Sequence, residues 1–419
     1  MTTPLTTVDG TAEDQSLPAA APAPAAPLPG WRDSLRAGLW TWLAGLVGMC
    51  VMTYMSYLPF IRVESPSGAR PANLLEALAK WSQWDTLWYI RIADSGYGTN
   101  EMSTAFFPLY PATVRVVGWV LPGPTIVAAL AVSAVCAFGA LVLMHRLAVE
   151  VLGDLGDAGR SIFYLLAFPT GFFLFAGYNE SMFIMLAAGS LYFMRRGRWW
   201  AAGALAALSS GTRLVGVMLG VAFVIEYVRQ RGLLAGGRPQ WRRIRPDVLA
   251  AGLVPGGVLA YAAYCWYHFD EPMIFSRVQE NWRRETQPPW VTLSWVVEKI
   301  ADSKSIFDHL AVHNVIALSS VLAFGALLVL ALVGPWRLGR ENLYLTVFAA
   351  LCLLVPLTGP IARGTPLTSF VRYALEALPA FMVLAKMGRS EGFGRVYLVS
   401  AIGAQSIMLL TFLHNTFIA

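Results

Sequence analysis

Trp81-Ser82-Gln83-Trp84-Asp85-Thr86-Leu87-Trp88-Tyr89-Ile90-Arg91-Ile92-Ala93 sets one carboxylate in a run of aromatic and aliphatic side chains, just after the first long apolar segment. Read as helix, the stretch spaces Leu74, Leu78, Trp81, Asp85, Trp88 and Ile92 three or four residues apart, on one face. A charge buried in such a stripe is costly unless something pairs with it. Two readings fit: an interfacial aromatic belt with Asp85 turned to water, or a buried acid kept because it is used.

The rest of the chain decides its class. Of 419 residues, 56% are hydrophobic and only 13% charged, and the mean hydropathy is +0.55, which excludes a soluble globule and predicts a polytopic membrane protein. The net charge of +6 comes from arginines clustered between apolar segments, so the positive-inside rule accounts for it and no nucleic-acid partner is implied. Cys50, Cys136, Cys265 and Cys352 each lie within an apolar stretch, without zinc-site spacing, and read as small buried hydrophobes.

Residues 1–30, rich in Ala, Pro and Thr, read as a disordered cytoplasmic leader ahead of a single membrane unit over 31–419. Apolar windows fall at 38–58, 125–145, 161–178, 180–195, 199–210, 212–228, 247–267, 311–334, 342–360, 368–387 and 395–415. They predict an all-α protein of about eleven crossings. Two arginine clusters, Arg195, Arg196 and Arg198 and then Arg229 to Arg245, both belong inside. The chain between them must therefore turn around near Ser209-Ser210-Gly211-Thr212-Arg213. The same logic brings Asn179 and Glu180 outside and leaves 105–121, interrupted by Pro108 and Pro111, as a half-buried outer helix. Residues 59–124 form a first outer loop with interfacial helices, and 268–310 a second.

Asp85, Glu180, Arg213, Arg283, Arg284, Arg363 and Arg372 then share the outer side. A transporter or channel places ionisable groups along the middle of its spans, whereas acids and bases gathered at one interface suit chemistry on a lipid-borne substrate. A helix opening near Thr212, reinforced by Arg213, would favour a phosphate; a turn whose arginine snorkels to headgroups is the alternative. Asp308, His309 and His313 have a metal-like spacing but no third ligand, and read as polar residues at a helix start. With no P-loop and no strand followed by GxGxxG, a soluble nucleotide sugar is an unsuitable donor.

Specific residues carry a family resemblance. Trp84-Asp85 with Trp88-Tyr89 and Ile92-Ala93, Gly96-Tyr97, and Ala105-Phe106-Phe107-Pro108-Leu109-Tyr110-Pro111 resemble the signature of PIG-V type mannosyltransferases of the GT-C superfamily. Ala176-Gly177-Tyr178-Asn179-Glu180-Ser181-Met182-Phe183 resembles the family's tyrosine-x-glutamate segment, and Thr212-Arg213 with Gly216 its threonine-arginine turn. Phe269 to Pro272 with Phe275, Gln279 and Trp282 looks like a loop segment shared by several GT-C enzymes, and Arg372-Tyr373 with Pro379 like a late arginine-tyrosine element. Trp88 and Arg91 stand where the eukaryotic pattern has histidines, which points to the bacterial branch, and hence to a bacterial plasma membrane, and leaves the acceptor open.

The resemblance implies inverting transfer of mannose from polyprenyl-phosphate-mannose to a glycolipid or glycan acceptor on the outer face. The roles that follow are Asp85 as base, Glu180 orienting the acceptor or helping to hold a divalent metal if one takes part, and Arg213, Arg372, Arg283 and Arg284 on the donor phosphate. Trp84, Trp88, Tyr89, Phe107, Tyr178, Gln279, Trp282 and Tyr373 would line the substrate pocket. Asp85 needs a cation beside it to stay ionised among its rings, and an arginine from the later spans is better placed than Arg91. A lipid-linked sugar flippase would instead need a polar path through the spans, and a noncatalytic scaffold would need none of these groups to meet.

Overall fold

A computed structural model describes residues 30–58, 73–234, 239–282, 284–361 and 364–416, without the side chain of Trp282. The expected leader and Arg283 and Arg363 lie outside the described residues. Helices dominate, and among the described residues the only β pairing is an isolated bridge between Arg284 and Ile361. In chain order the α-helices are α1 (Trp31–Met55), α2 (Leu74–Leu78), α3 (Asp85–Ser95), α4 (Leu109–Gly118), α5 (Thr125–Leu152), α6 (Leu155–Ala167), α7 (Glu180–Arg195), α8 (Trp199–Ser210) and α9 (Leu219–Arg231). They continue with α10 (Gly256–Phe269), α11 (Ile274–Arg277), α12 (Pro289–Ala301), α13 (His309–Leu332), α14 (Leu343–Thr358), α15 (Phe370–Tyr373), α16 (Leu378–Met387) and α17 (Glu391–Leu413).

Length divides the eleven apolar windows. Among the described residues α1, α5, α13, Arg340–Thr358 and α17 are long and apolar enough to cross a bilayer, and Pro246–Leu253 with α10, bent by 45°, would make a sixth. The windows at 161–178, 180–195, 199–210, 212–228 and 368–387 hold shorter α-helices; the longest, α7 with 16 residues, covers about 24 Å of a hydrocarbon layer about 30 Å thick. The 161–178 window breaks at Phe168-Pro169-Thr170, where proline cannot continue the helical bonding.

α5 is the hub. More than half (56%) of its apolar window is buried, against 22–28% for α1, α13 and α17, which therefore present most of their surface to lipid. Ala128, Ala129, Ala137 and Ala140 of α5 and Ala187 and Ala188 of α7 are essentially inaccessible, and small residues of this kind let helices approach closely in a bilayer. The expected reversal at 209–213 is present: Trp199 at the start of α8 packs its ring 4.9 Å from Phe223 and 4.8 Å from Tyr227, near the end of α9. The half-buried helix expected over 105–121 is α4, with Tyr110, Pro111 and Val114 inward and Val116 exposed.

One expectation is overturned. The stripe from Leu74 to Ile92 is not a continuous helical face, because the chain breaks at Ser82-Gln83-Trp84 between a 3-10 turn (Ala79–Trp81) and α3. Uninterrupted helix would give Trp81 O to the amide of Asp85; instead Gln83 N–H donates to Trp81 O at 2.9 Å, and Asp85 N–H donates to the Tyr178 hydroxyl at 3.2 Å. Trp84 takes φ 50° and ψ −118°, a region unfavourable for a residue with a Cβ. Trp81 is buried, donating through Nε1 to Thr53 Oγ1 at 3.0 Å, while Leu74 is exposed. Asp85 thereby becomes the first residue of α3.

Candidate active site

Two helices begin at the same end of the bundle with an acid in first position, Asp85 on α3 and Glu180 on α7. The positive end of each helix dipole favours a carboxylate there. Asn179, preceding Glu180, donates through Nδ2 to Thr212 O at 2.8 Å, which ties the turn carrying Arg213 to the start of α7. That turn is tight: a Cβ on Gly216 would lie 2.5 Å from Ser210 N and 2.6 Å from Ser209 C, so only glycine lets the chain fold back so closely over the end of α8.

The charged groups form an alternating chain. Arg372 Nη1 donates to Asp85 Oδ2 at 2.7 Å, and its Nε stands 3.2 Å from Glu180 Oε1. Arg213 Nη1 donates to the same Glu180 oxygen at 3.3 Å and lies 2.9 Å from Glu376 Oε1. The order is Asp85, Arg372, Glu180, Arg213, Glu376. The contacts of Arg372 Nε to Glu180 and of Arg213 to Glu376 are close enough for ion pairing but too poorly aligned to be hydrogen bonds. Asp85 is 30% exposed, while Glu180 and Glu376 are each 2% exposed. Among the described residues Glu180 Oε2 is buried with no hydrogen-bond partner.

Aromatic rings cradle the guanidiniums. Arg372 lies 5.2 Å from the Tyr178 ring and 5.3 Å from Tyr373, and Arg213 lies 4.7 Å from Tyr373, within the range of cation–π attraction. Tyr89 packs 4.9 Å from Tyr110, and burial, with Glu180 and Asp85 close by, pushes its phenol well above the usual range and keeps it neutral.

Asp85, Glu180, Arg213 and Arg372 thus come together at one wall of a cavity of about 1410 Å³, along with Trp84, Trp88, Tyr89, Phe107, Gln279, Arg284 and Tyr373. Trp88 stacks on Phe106 at 5.5 Å and carries Arg91 over its ring at 5.1 Å, so Arg91 is engaged away from Asp85. Two expectations change. Tyr178 does not line the cavity; it lies beneath Arg372 and accepts from the Asp85 amide. No α-helix opens at Thr212: the amides of Thr212 and Arg213 both donate to Ser209 O, so they are spent within the turn and Arg213 contributes its side chain instead. Arg284 donates to Gly359 O at 3.1 Å on the cavity wall and is not in the ionic chain.

Among the described residues no three His, Cys, Asp or Glu side chains gather into a metal-binding set. His309 and His313 pair their rings at 4.6 Å on α13. Glu376 is the residue the sequence reading missed. Its signal was the one that marked Asp85: a lone acid within an apolar run, Ala374-Leu375-Glu376-Ala377-Leu378, four residues beyond Arg372.

The family profile described as mannosyltransferase (PIG-V) matches residues 57–233. The chain is a relative of the PIG-V mannosyltransferases. GPI alpha-1,6-mannosyltransferase 2 of Mus musculus is 26% identical over 257 residues, covering 55% of this chain and 51% of that protein. The Rattus norvegicus protein of that name is 30% identical over 172 residues, covering 39% and 34%. GPI mannosyltransferase 2 of Yarrowia lipolytica is 23% identical over 262 residues, covering 57% and 71%. The chain thus spans about half the length of the mouse PIG-V relative. In fold it resembles ArnT from Cupriavidus metallidurans bound to undecaprenyl phosphate, with a TM-score of 0.52 at 13% identity over 91% of this chain and 76% of that one. The PIG-V relative therefore shares the fold of that structure, and its long apolar helices make it a multi-pass membrane protein.

Proposed function

We propose that the protein is a mannosyltransferase that moves mannose from polyprenyl-phosphate-mannose to the hydroxyl of a glycolipid or glycan acceptor, with inversion, at the extracytoplasmic face of a bacterial plasma membrane. The observation that carries this reading is the graded exposure of the ionic chain. Of its three acids only Asp85 is substantially open to the cavity, and the two guanidiniums behind it are held by buried carboxylates and tyrosine rings.

In a single displacement the Asp85 carboxylate takes the proton of the acceptor hydroxyl as its oxygen bonds to the anomeric carbon. The bond from that carbon to the phosphate oxygen breaks on the opposite face, and its electron pair leaves with the polyprenyl phosphate. Fixed cations facing the departing phosphate lower the barrier because they need no reorganisation as charge develops; Arg213 and Arg372 take that role, with Arg284 lining the same cavity. Glu180 holds both arginines through Oε1, and its unpartnered Oε2 suits a hydroxyl of a bound sugar. Trp84, Trp88 and Gln279 supply wall for sugar or isoprenoid. The lipid phosphate named with the fold relative is of the same chemical class as this donor.

The test is to incubate purified protein in detergent with radiolabelled polyprenyl-phosphate-mannose and a panel of glycolipid and glycan acceptors. Label is expected to move to at least one acceptor, releasing polyprenyl phosphate. Absence of transfer to every acceptor, or labelling of a cysteine placed at Glu101 only from the cytosolic side of cells, would overturn the reading.

A further inference from the structure

We propose that Glu376 is a positioning residue that holds the Arg213 guanidinium where it meets a lipid-borne phosphate. This deepens the mannosyltransferase reading and rests on it. Glu376 is 2% exposed, and its neighbours Ala374, Leu375, Ala377 and Leu378 are at most 1% exposed, so little of the carboxylate is open to water. An acid in such packing is costly unless it is paired and used.

Its charged partner is Arg213, at 2.9 Å, and the Cys352 thiol hydrogen-bonds the same carboxylate. Glu180 also reaches Arg213, at 3.3 Å, but that same oxygen serves Arg372 at 3.2 Å and cannot by itself define where Arg213 sits. Besides the Phe183 ring at 5.7 Å, the turn from Phe370 to Glu376 supplies two supports for Arg213: the acid, and the Tyr373 ring 4.7 Å beneath the guanidinium. One short segment therefore sends Arg372 toward Asp85 and grips Arg213 through Glu376. Removing the grip leaves Arg213 with one carboxylate oxygen, shared with Arg372, and ring contacts that do not fix its direction, free to leave the position it holds at the cavity.

The experiment measures binding without turnover. Polyprenyl phosphate is titrated into the full-length protein in detergent, with the uncharged polyprenol and inorganic phosphate as control ligands. Glu376→Ala is expected to weaken polyprenyl phosphate binding about tenfold, to leave polyprenol binding unchanged, and to raise the donor KM with a smaller effect on kcat. Glu376→Gln, which still offers an oxygen to Arg213, is expected to stay within about threefold of the parent protein. Arg213→Ala should weaken binding at least as much as Glu376→Ala, and the double variant no further than Arg213→Ala alone, because Glu376 acts only through Arg213. Where Glu376→Ala fails to fold, Glu376→Met keeps the volume and is read the same way. Unchanged or tighter binding in the Ala or Met variant, or additive losses in the double variant, would overturn the proposal. If the parent protein binds polyprenyl phosphate no better than polyprenol or inorganic phosphate, the donor reading itself fails, and the two failures are distinguishable.

Discussion

Arg372 reaches across 287 positions of chain to place Nη1 2.7 Å from Asp85 Oδ2. The contact joins the start of α3 to α15, late in the chain. It also gives the acid among the tryptophans the cation that its apolar surroundings demand.

Asp85→Asn keeps the shape of the side chain and removes its capacity to take a proton. Transfer is expected to fall at least about 100-fold, with the thermal unfolding midpoint little changed because Asp85 is 30% exposed, the Asn oxygen still accepts from Arg372, and Arg372 keeps Glu180 as its counter-charge. Undiminished transfer in a folded protein would remove the base assignment.

Arg372→Ala acts differently. It strips a partner from Glu180, which at 2% exposure cannot rehydrate, so destabilisation of about 3–5 kcal/mol accompanies the loss of activity. Arg372→Lys supplies one point charge where a fork spans two carboxylates and is expected to recover stability better than activity. Thermal unfolding in detergent checks this: equal midpoints for Asp85→Asn and Arg372→Ala would contradict the exposure argument.

Tyr178→Phe deletes the oxygen that accepts the Asp85 amide at 3.2 Å and leaves the ring under Arg372. One neutral hydrogen bond is worth about 1 kcal/mol, so a fall of about fivefold in kcat is expected, with the donor KM unchanged. A large KM effect would instead return Tyr178 to the substrate wall.

Gly216→Ala drives a Cβ to 2.5 Å from the backbone of Ser210, where no flexible side chain can give way. The turn carrying Arg213 must shift. The yield of folded protein is expected to drop, and any folded fraction to bind polyprenyl phosphate as weakly as Arg213→Ala. Parent-like yield and binding would show that the turn is looser than drawn.

Asp85, Glu180, Arg213 and Arg372 were legible in the sequence because each is an ionisable residue within or beside an apolar run, where retaining it is expensive, and because the orientation of the spans put all four on one side. Glu376 carries the same signal, but it lies inside a window read as span, and its meaning depends on Arg213 far away in the chain. The break before Asp85 was invisible for a related reason. Spacing at three and four residues describes a helix equally well whether or not a distant tyrosine takes one of its amides.

Composition and hydropathy alone determined that this is a multi-pass, all-α membrane protein, because a bilayer forces apolar residues into long local runs and backbone groups into helices. Which polar groups meet was decided only by tertiary packing. The pairing of α5 with α7, and the reversal between α8 and α9, bring four distant segments to one cavity wall, and the energies that select those partners are side-chain contacts between elements that no local pattern records.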